Sequence, residues 1–116
     1  MLVDTRAMGF ALTDAIQRHV ESRVESALSP VASWVVSATA RVEDINSDRG
    51  GIDKRCALVA SLRGRGVAIT EALNVDLYAA VDEAAGRLRR AAVRAVKRHV
   101  ARERKDTQRP GTLLSI

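Results

Sequence analysis

The stretch DLYAAVDEAAGRLRRAAVRAVKRHVARERK, residues 76–105, decides how this chain folds. At about 100° per residue, Leu77, Val81, Ala84, Leu88, Ala91, Ala92 and Ala95 fall on one side, the apolar stripe of a helix lying on a core. Arg87, Arg90, Arg94, Lys97 and Arg98 fall on the other side. From residue 87 to residue 105 every charged residue except Glu103 is Lys or Arg. Arg90/Arg94, Arg94/Arg98 and Arg98/Arg102 are like-charge i,i+4 pairs, each costing about 0.2–0.5 kcal/mol. The helix dipole offsets part of this, with Asp76, Asp82 and Glu83 near the amino end and the cations near the carbonyl end. A face that was only solvated would mix Glu with Lys. This pattern points to a polyanion, the plainer alternative being a soluble surface.

The formal charge of the whole chain is +5, less than residues 87–105 carry alone, so the rest is net acidic and the basicity is local. A local patch favours nucleic acid or an anionic membrane surface over a diffuse effect. With 116 residues, 47% hydrophobic and 28% charged, the composition is that of one soluble domain rather than a disordered chain. The first ten residues hold no apolar run of signal-peptide length, and no later stretch is expected to span a bilayer. A single cysteine, Cys56, excludes an internal disulfide and fits a reducing compartment, so the expected location is the cytoplasm.

Upstream of the long helix the pattern alternates. Residues 2–7 read as a short strand. Thr13 is a good N-cap for a helix carrying Ile16, Val20, Val24, Ala27 and Leu28 inward, stopped by Ser29-Pro30. Residues 33–43 switch to period two, with Trp34, Val36, Ala38, Ala40 and Val42 on one face. After a polar segment, 44–53, strands are predicted at 56–62 (Cys56, Leu58, Ala60 and Leu62 inward) and 67–74, joined by the tight turn Gly64-Arg65-Gly66. The order strand, helix, three strands, helix predicts an α+β fold: a two-layer βαβββα domain. Its four-stranded mixed sheet carries both helices on one face, with the first two strands parallel. The domain is expected to cover residues 1–105, and residues 106–116 to form a flexible tail.

Three stretches carry a family resemblance. Thr13-Asp14-Ala15-Ile16 with His19-Val20 and Arg23 is similar to the first-helix opening of the ribosome hibernation-promoting factor and ribosome-associated inhibitor family. Gly64 stands where that family turns after its third strand. Asp76-Leu77-Tyr78-Ala79-Ala80-Val81-Asp82 is similar to its signature at the start of the last helix. The chain resembles a short, divergent member. Gln17 and Ser26 replace basic residues common on the first helix, Ala7-Met8 replaces the glycine and basic residue of the first loop, and the hairpin 44–56 is long. The resemblance implies a protein that idles the ribosome by occupying the decoding region of the small subunit, with small-subunit RNA as partner, no cofactor and no metal. It also implies contacts on the last helix at Arg87, Arg90, Arg94 and Arg98, the positions that helical geometry selects.

The candidate RNA-binding set is therefore Arg87, Arg90, Arg94, Lys97 and Arg98, with Arg18 and Arg23 on the first helix and Lys54 and Arg55 beside the long hairpin. With Phe10, Trp34 and Tyr78 the only aromatics, two of them expected inside, recognition by backbone and shape is expected rather than base stacking. Tyr78 is expected to anchor the last helix on the sheet, its hydroxyl near Asp82. Asp44, Asn46 and Asp48 fail as a calcium loop because Arg49 and Arg55 occupy its glycine and glutamate positions. Cys56 reads as a core residue, and His19 and His99 as structural or solvated. No nucleophile–base pair is evident and no enzyme is predicted. Two alternatives remain: a module binding structured RNA away from the ribosome, and a protein-interaction domain using Val35, Ala57 and Val59 on the outer sheet face.

Overall fold

The structure, a computed structural model, describes residues 3–45, 53–64 and 66–108, apart from the side chains of the last three. The elements are β1 (Val3–Met8), α1 (Asp14–Leu28), a 3-10 segment (Ser29–Trp34), β2 (Val35–Asp44), β3 (Lys54–Leu62), β4 (Val67–Asn74) and α2 (Leu77–Gln108). The strands form one sheet in the order β1-β2-β3-β4. β1 runs parallel to β2, and the other neighbours are antiparallel. This is the α+β, two-layer arrangement predicted above. α2 runs to Gln108, past the expected end at 105. Both the tip of the long hairpin (46–52) and the segment 109–116, expected to be flexible, lie outside the described residues.

Each boundary has a local cause. Thr13 is extended, and its Oγ1 accepts a hydrogen bond from the Ile16 N–H at 3.2 Å, capping α1. Pro30 cannot continue the α-helical ladder, and the chain tightens into the 3-10 segment. Asn74 Oδ1 accepts from the Asp76 N–H at 3.0 Å, and Asp76 Oδ1 accepts from the Tyr78 N–H at 3.1 Å, so two short polar side chains turn β4 into α2. Gly64 has φ 87°, the left-handed conformation its turn requires.

One core lies between the sheet and the helices, and it is built mostly from small residues. Ala60, Ala68 and Ala72 on β3 and β4 lie beneath α2, which brings Ala80, Ala84, Ala85 and Ala92, and Ala38 and Ala40 of β2 join the same core, all buried. Leu28, Leu58, Leu88, Val20, Val24, Val42 and Val81 supply the bulk. Thr70 on β4 donates its hydroxyl to the Ala84 carbonyl at 3.0 Å, a direct link from sheet to helix.

The start of β2 departs from prediction. The register with β3 slips between Val35 and Ser37, and the extra residue inverts the alternation before Ala38. Val36 is 66% exposed instead of inward. Val35, expected on the outer face, packs against the core, and Trp34 lies in the 3-10 segment rather than in a strand. Tyr78 also differs: it is 41% exposed, and its ring meets His19 edge-on at 4.8 Å instead of anchoring on the sheet. Asp82, the expected partner of its hydroxyl, binds His19 and Arg23. Phe10 and Trp34 are partly buried against the core.

Leu88→Ala should lower the unfolding free energy by about 2–5 kcal/mol in urea titrations, because a site lined by close-packed alanines cannot collapse into the void. Cys56 is wholly buried, and burial pushes its thiol up to about 12. The raised value means the unfolded thiol ionises first, near 9.0, so stability present below that pH is lost as pH rises toward 12. At pH 10 the loss should be about 1 kcal/mol, and Cys56→Ala should remove it.

Candidate nucleic-acid interface

α2 is one continuous helix of 32 residues, about 48 Å long at 1.5 Å per residue, and the core holds one side of it. The far end of that contact is His99. Its ring meets Trp34 edge-on at 5.4 Å and covers Gly64, where a Cβ would lie 2.6 Å from the imidazole. Glu103 pairs with the same ring at 3.1 Å. Residues 101–105 are exposed beyond this point. The rod is thus oriented from Leu77 to His99, and the cations on its free side are presented in a fixed row.

The structure separates the predicted site residues into two groups. Arg90, Arg94, Lys97 and Arg98 are exposed on α2, and none has an acidic partner among the described residues. Arg87 also lies on α2, but its guanidinium donates to the Glu71 carbonyl at 2.6 Å, on the free edge of β4. Arg23 is held by Asp82 at 2.9 Å, the carboxylate oxygen that also takes His19 Nε2 at 2.8 Å. Arg55 pairs with Glu71 at 2.6 Å and points to the sheet face away from the helices. Lys54 sits between Asp53 (3.0 Å) and Asp44 (3.1 Å). The hydrogen bond that its ammonium donates to the Asp53 carboxylate leads in raising its pKa above the ordinary lysine value, burial working against it. Arg18 lies among Asp14, Gln17 and Glu21, and helical spacing turns it to the side of α1 opposite the Asp82 contacts.

One basic residue belongs with the unpaired group although the stripe at three and four residue spacing excluded it. Arg89, with Arg90, Arg94 and Lys97, rims a groove of about 500 Å³ floored by Val93 and Pro30. The 3-10 segment carries Pro30 up to α2, which no pattern within the helix could indicate. Arg89 also borders a second recess beside Arg23, Ser26 and Gly86.

This arrangement suits electrostatic contact with a phosphate backbone: long cationic side chains on a rigid base, with no carboxylate among them. Phosphate contacts of this kind orient a protein without reading sequence. Among the described residues no three His, Cys, Asp or Glu side chains gather to hold a metal, and no helix is long and apolar enough to cross a membrane.

Comparison with known proteins bears on the fold and the family. No curated protein matches the chain. The N-terminal domain of Protein Y from Thermus thermophilus superimposes with a TM-score of 0.68 at 24% identity, covering 81% of this chain and 98% of that domain. A ribosomal subunit interface protein from Coxiella burnetii superimposes with a TM-score of 0.68 at 17% identity, covering 86% of this chain and 99% of that one. At such identities the likeness concerns the fold. The family model described as sigma 54 modulation protein / S30EA ribosomal protein matches residues 3–102, nearly the whole described domain. The chain therefore belongs to that ribosome-associated family, the hibernation factors its sequence resembles.

Proposed function

We propose that this protein is a ribosome-associated translation inhibitor that docks on small-subunit ribosomal RNA near the decoding region through the free side of α2. The carrying observation is the row Arg90, Arg94, Lys97 and Arg98, exposed and without acidic partners among the described residues on a helix that the core keeps straight. Arg89 joins them at the groove over Val93 and Pro30. Arg87, tied to the β4 edge, and Arg23, Lys54 and Arg55, tied to carboxylates, must exchange a partner before they can meet phosphate. They are secondary contacts on this reading. Arg18 is a separate, peripheral cation.

The action is steric. A bound domain occupies space that messenger and transfer RNA need, no bond is made or broken, and no cofactor or small-molecule substrate takes part. The protein works in the cytoplasm, where its partner is. The exposed aromatic Tyr78 is packed edge-on against His19 at the start of α2, so contact by stacking bases on a sheet is not part of the reading.

Four phosphate contacts predict a salt slope of about −3 to −4, or about a 100-fold loss of affinity between 50 and 200 mM salt. The charge-reversed triple variant Arg90→Glu/Arg94→Glu/Arg98→Glu should abolish co-sedimentation with small subunits, with the circular dichroism of the wild type retained. Unchanged sedimentation of that variant would overturn the reading. Binding to a free structured RNA but not to subunits would favour the alternative, a general RNA-binding module, which the uncharged Gln17 and Ser26 on α1 already make reasonable.

A further inference from the structure

Val93 is an apolar position enclosed by cations. Arg89 and Arg90 stand one helical turn before it and Lys97 one turn after, with Arg94 beside it, so their side chains close round it on one face. All four border the groove of about 500 Å³ whose floor is Val93 and Pro30. Val93 is partly buried against the core, and Pro30 is exposed at the start of the 3-10 segment. Two elements therefore fix an apolar floor beneath a cationic rim. Phosphate contact alone requires only the rim.

The charge of the rim decides the occupant. Among the described residues no carboxylate borders the groove, and none of the four cations has an acidic partner. The neighbouring recess beside Arg23 contains Asp82, which disfavours an anion there. An apolar protein side chain would fit the floor and leave the cations unanswered. A nucleotide has both halves, an anionic phosphate for the rim and a flat ring for the floor. The groove also lies within the roughly 300–1,000 Å³ of sites that enclose small ligands. Guanidinium planes stack on bases, so the arginines give the ring its second wall.

We infer that this groove is a subsite for one unstacked nucleotide of RNA, its base lying on Val93 and Pro30 and its phosphate held by the rim. The inference rests on the reading of α2 as an RNA interface and adds a base contact to it. Such a seat tolerates any sequence, because every base offers a flat face. Only a base out of its stack can enter, so the subsite favours a bulged or single-stranded position over the interior of a duplex. The two halves differ in their response to salt. Phosphate contacts release counterions and set the salt slope, whereas the seated base adds affinity that leaves the slope alone. Arg98 does not border the groove and contributes charge only.

Fluorescence anisotropy over a salt series tests it with two probes, an oligouridylate and a ribose-phosphate chain of equal length without bases. The two carry the same charge, and the uridines are unstacked already. Wild type should bind the oligouridylate about fivefold more tightly at every salt concentration, the low end of what one seated base contributes, with equal slopes for both probes. The double variant Val93→Thr/Pro30→Ala should lose that preference and keep the slope. Arg98→Glu should flatten the slope and keep the preference. Far-UV circular dichroism of each variant shows that the fold is retained. Equal affinity of wild type for the two probes overturns the inference, and so does a preference that survives the double variant. If wild type treats the probes alike yet co-sediments with small subunits in a salt-sensitive way, the subsite falls and the docking reading stands. A wild type that ignores small subunits at low salt removes both. Unchanged probe binding by the double variant, with its binding to small subunits lost, overturns the inference and assigns the groove to a protein of the subunit.

Discussion

Alanine facing alanine sets the distance between α2 and the sheet, and most other features follow from that distance. Ala80, Ala84, Ala85 and Ala92 let the helix axis approach strands that present Ala60, Ala68 and Ala72. At that approach a hydroxyl as short as Thr70 can reach the Ala84 carbonyl. A helix so close is buried along a narrow stripe and leaves a broad free side. The core gains little from each alanine, since burial energy scales with apolar area. Leu28, Leu58 and Leu88 therefore carry a large share of the packing.

The free side is where stability gives way to function. The repelling i,i+4 pairs would weaken an isolated helix. Here the rod is held at both ends instead. Asn74 and Asp76 cap its entry, and His99, wedged on Trp34 above Gly64, fixes it one turn from the point where it leaves the body. Between those clamps the arginines can stay unpaired without fraying the element that carries them.

The two faces of the domain divide the electrostatic work. On the sheet side, Asp4 pairs with Arg6, and Glu43 and Glu71 pair with Arg55. On α2 between residues 87 and 105 the one acid is Glu103, which is engaged with His99. One chain thus carries a cationic row on one side and a mixed, partly apolar surface on the other. Arg87 lies at the boundary: on the helix by sequence, yet hydrogen-bonded to the backbone edge of β4. That contact occupies a carbonyl which an unprotected edge strand would offer to another chain.

The sequence by itself determined the element order, the cap at Thr13, the inward face of β3, the turn at Gly64 and the location of the surplus charge. These are written in local periodicity and in the conformational limits of single residues, so neighbouring positions suffice to reveal them. Only the tertiary structure decided which cations are free. His19 and Asp82 are separated by 63 positions and Arg55 and Glu71 by 16, distances at which spacing carries no information about contact. It likewise decided the exchange of Val35 and Val36, through one slipped residue beside the 3-10 segment, and brought Pro30 to Arg89. A charge is a property of its residue, but its availability depends on whatever the folded chain places beside it.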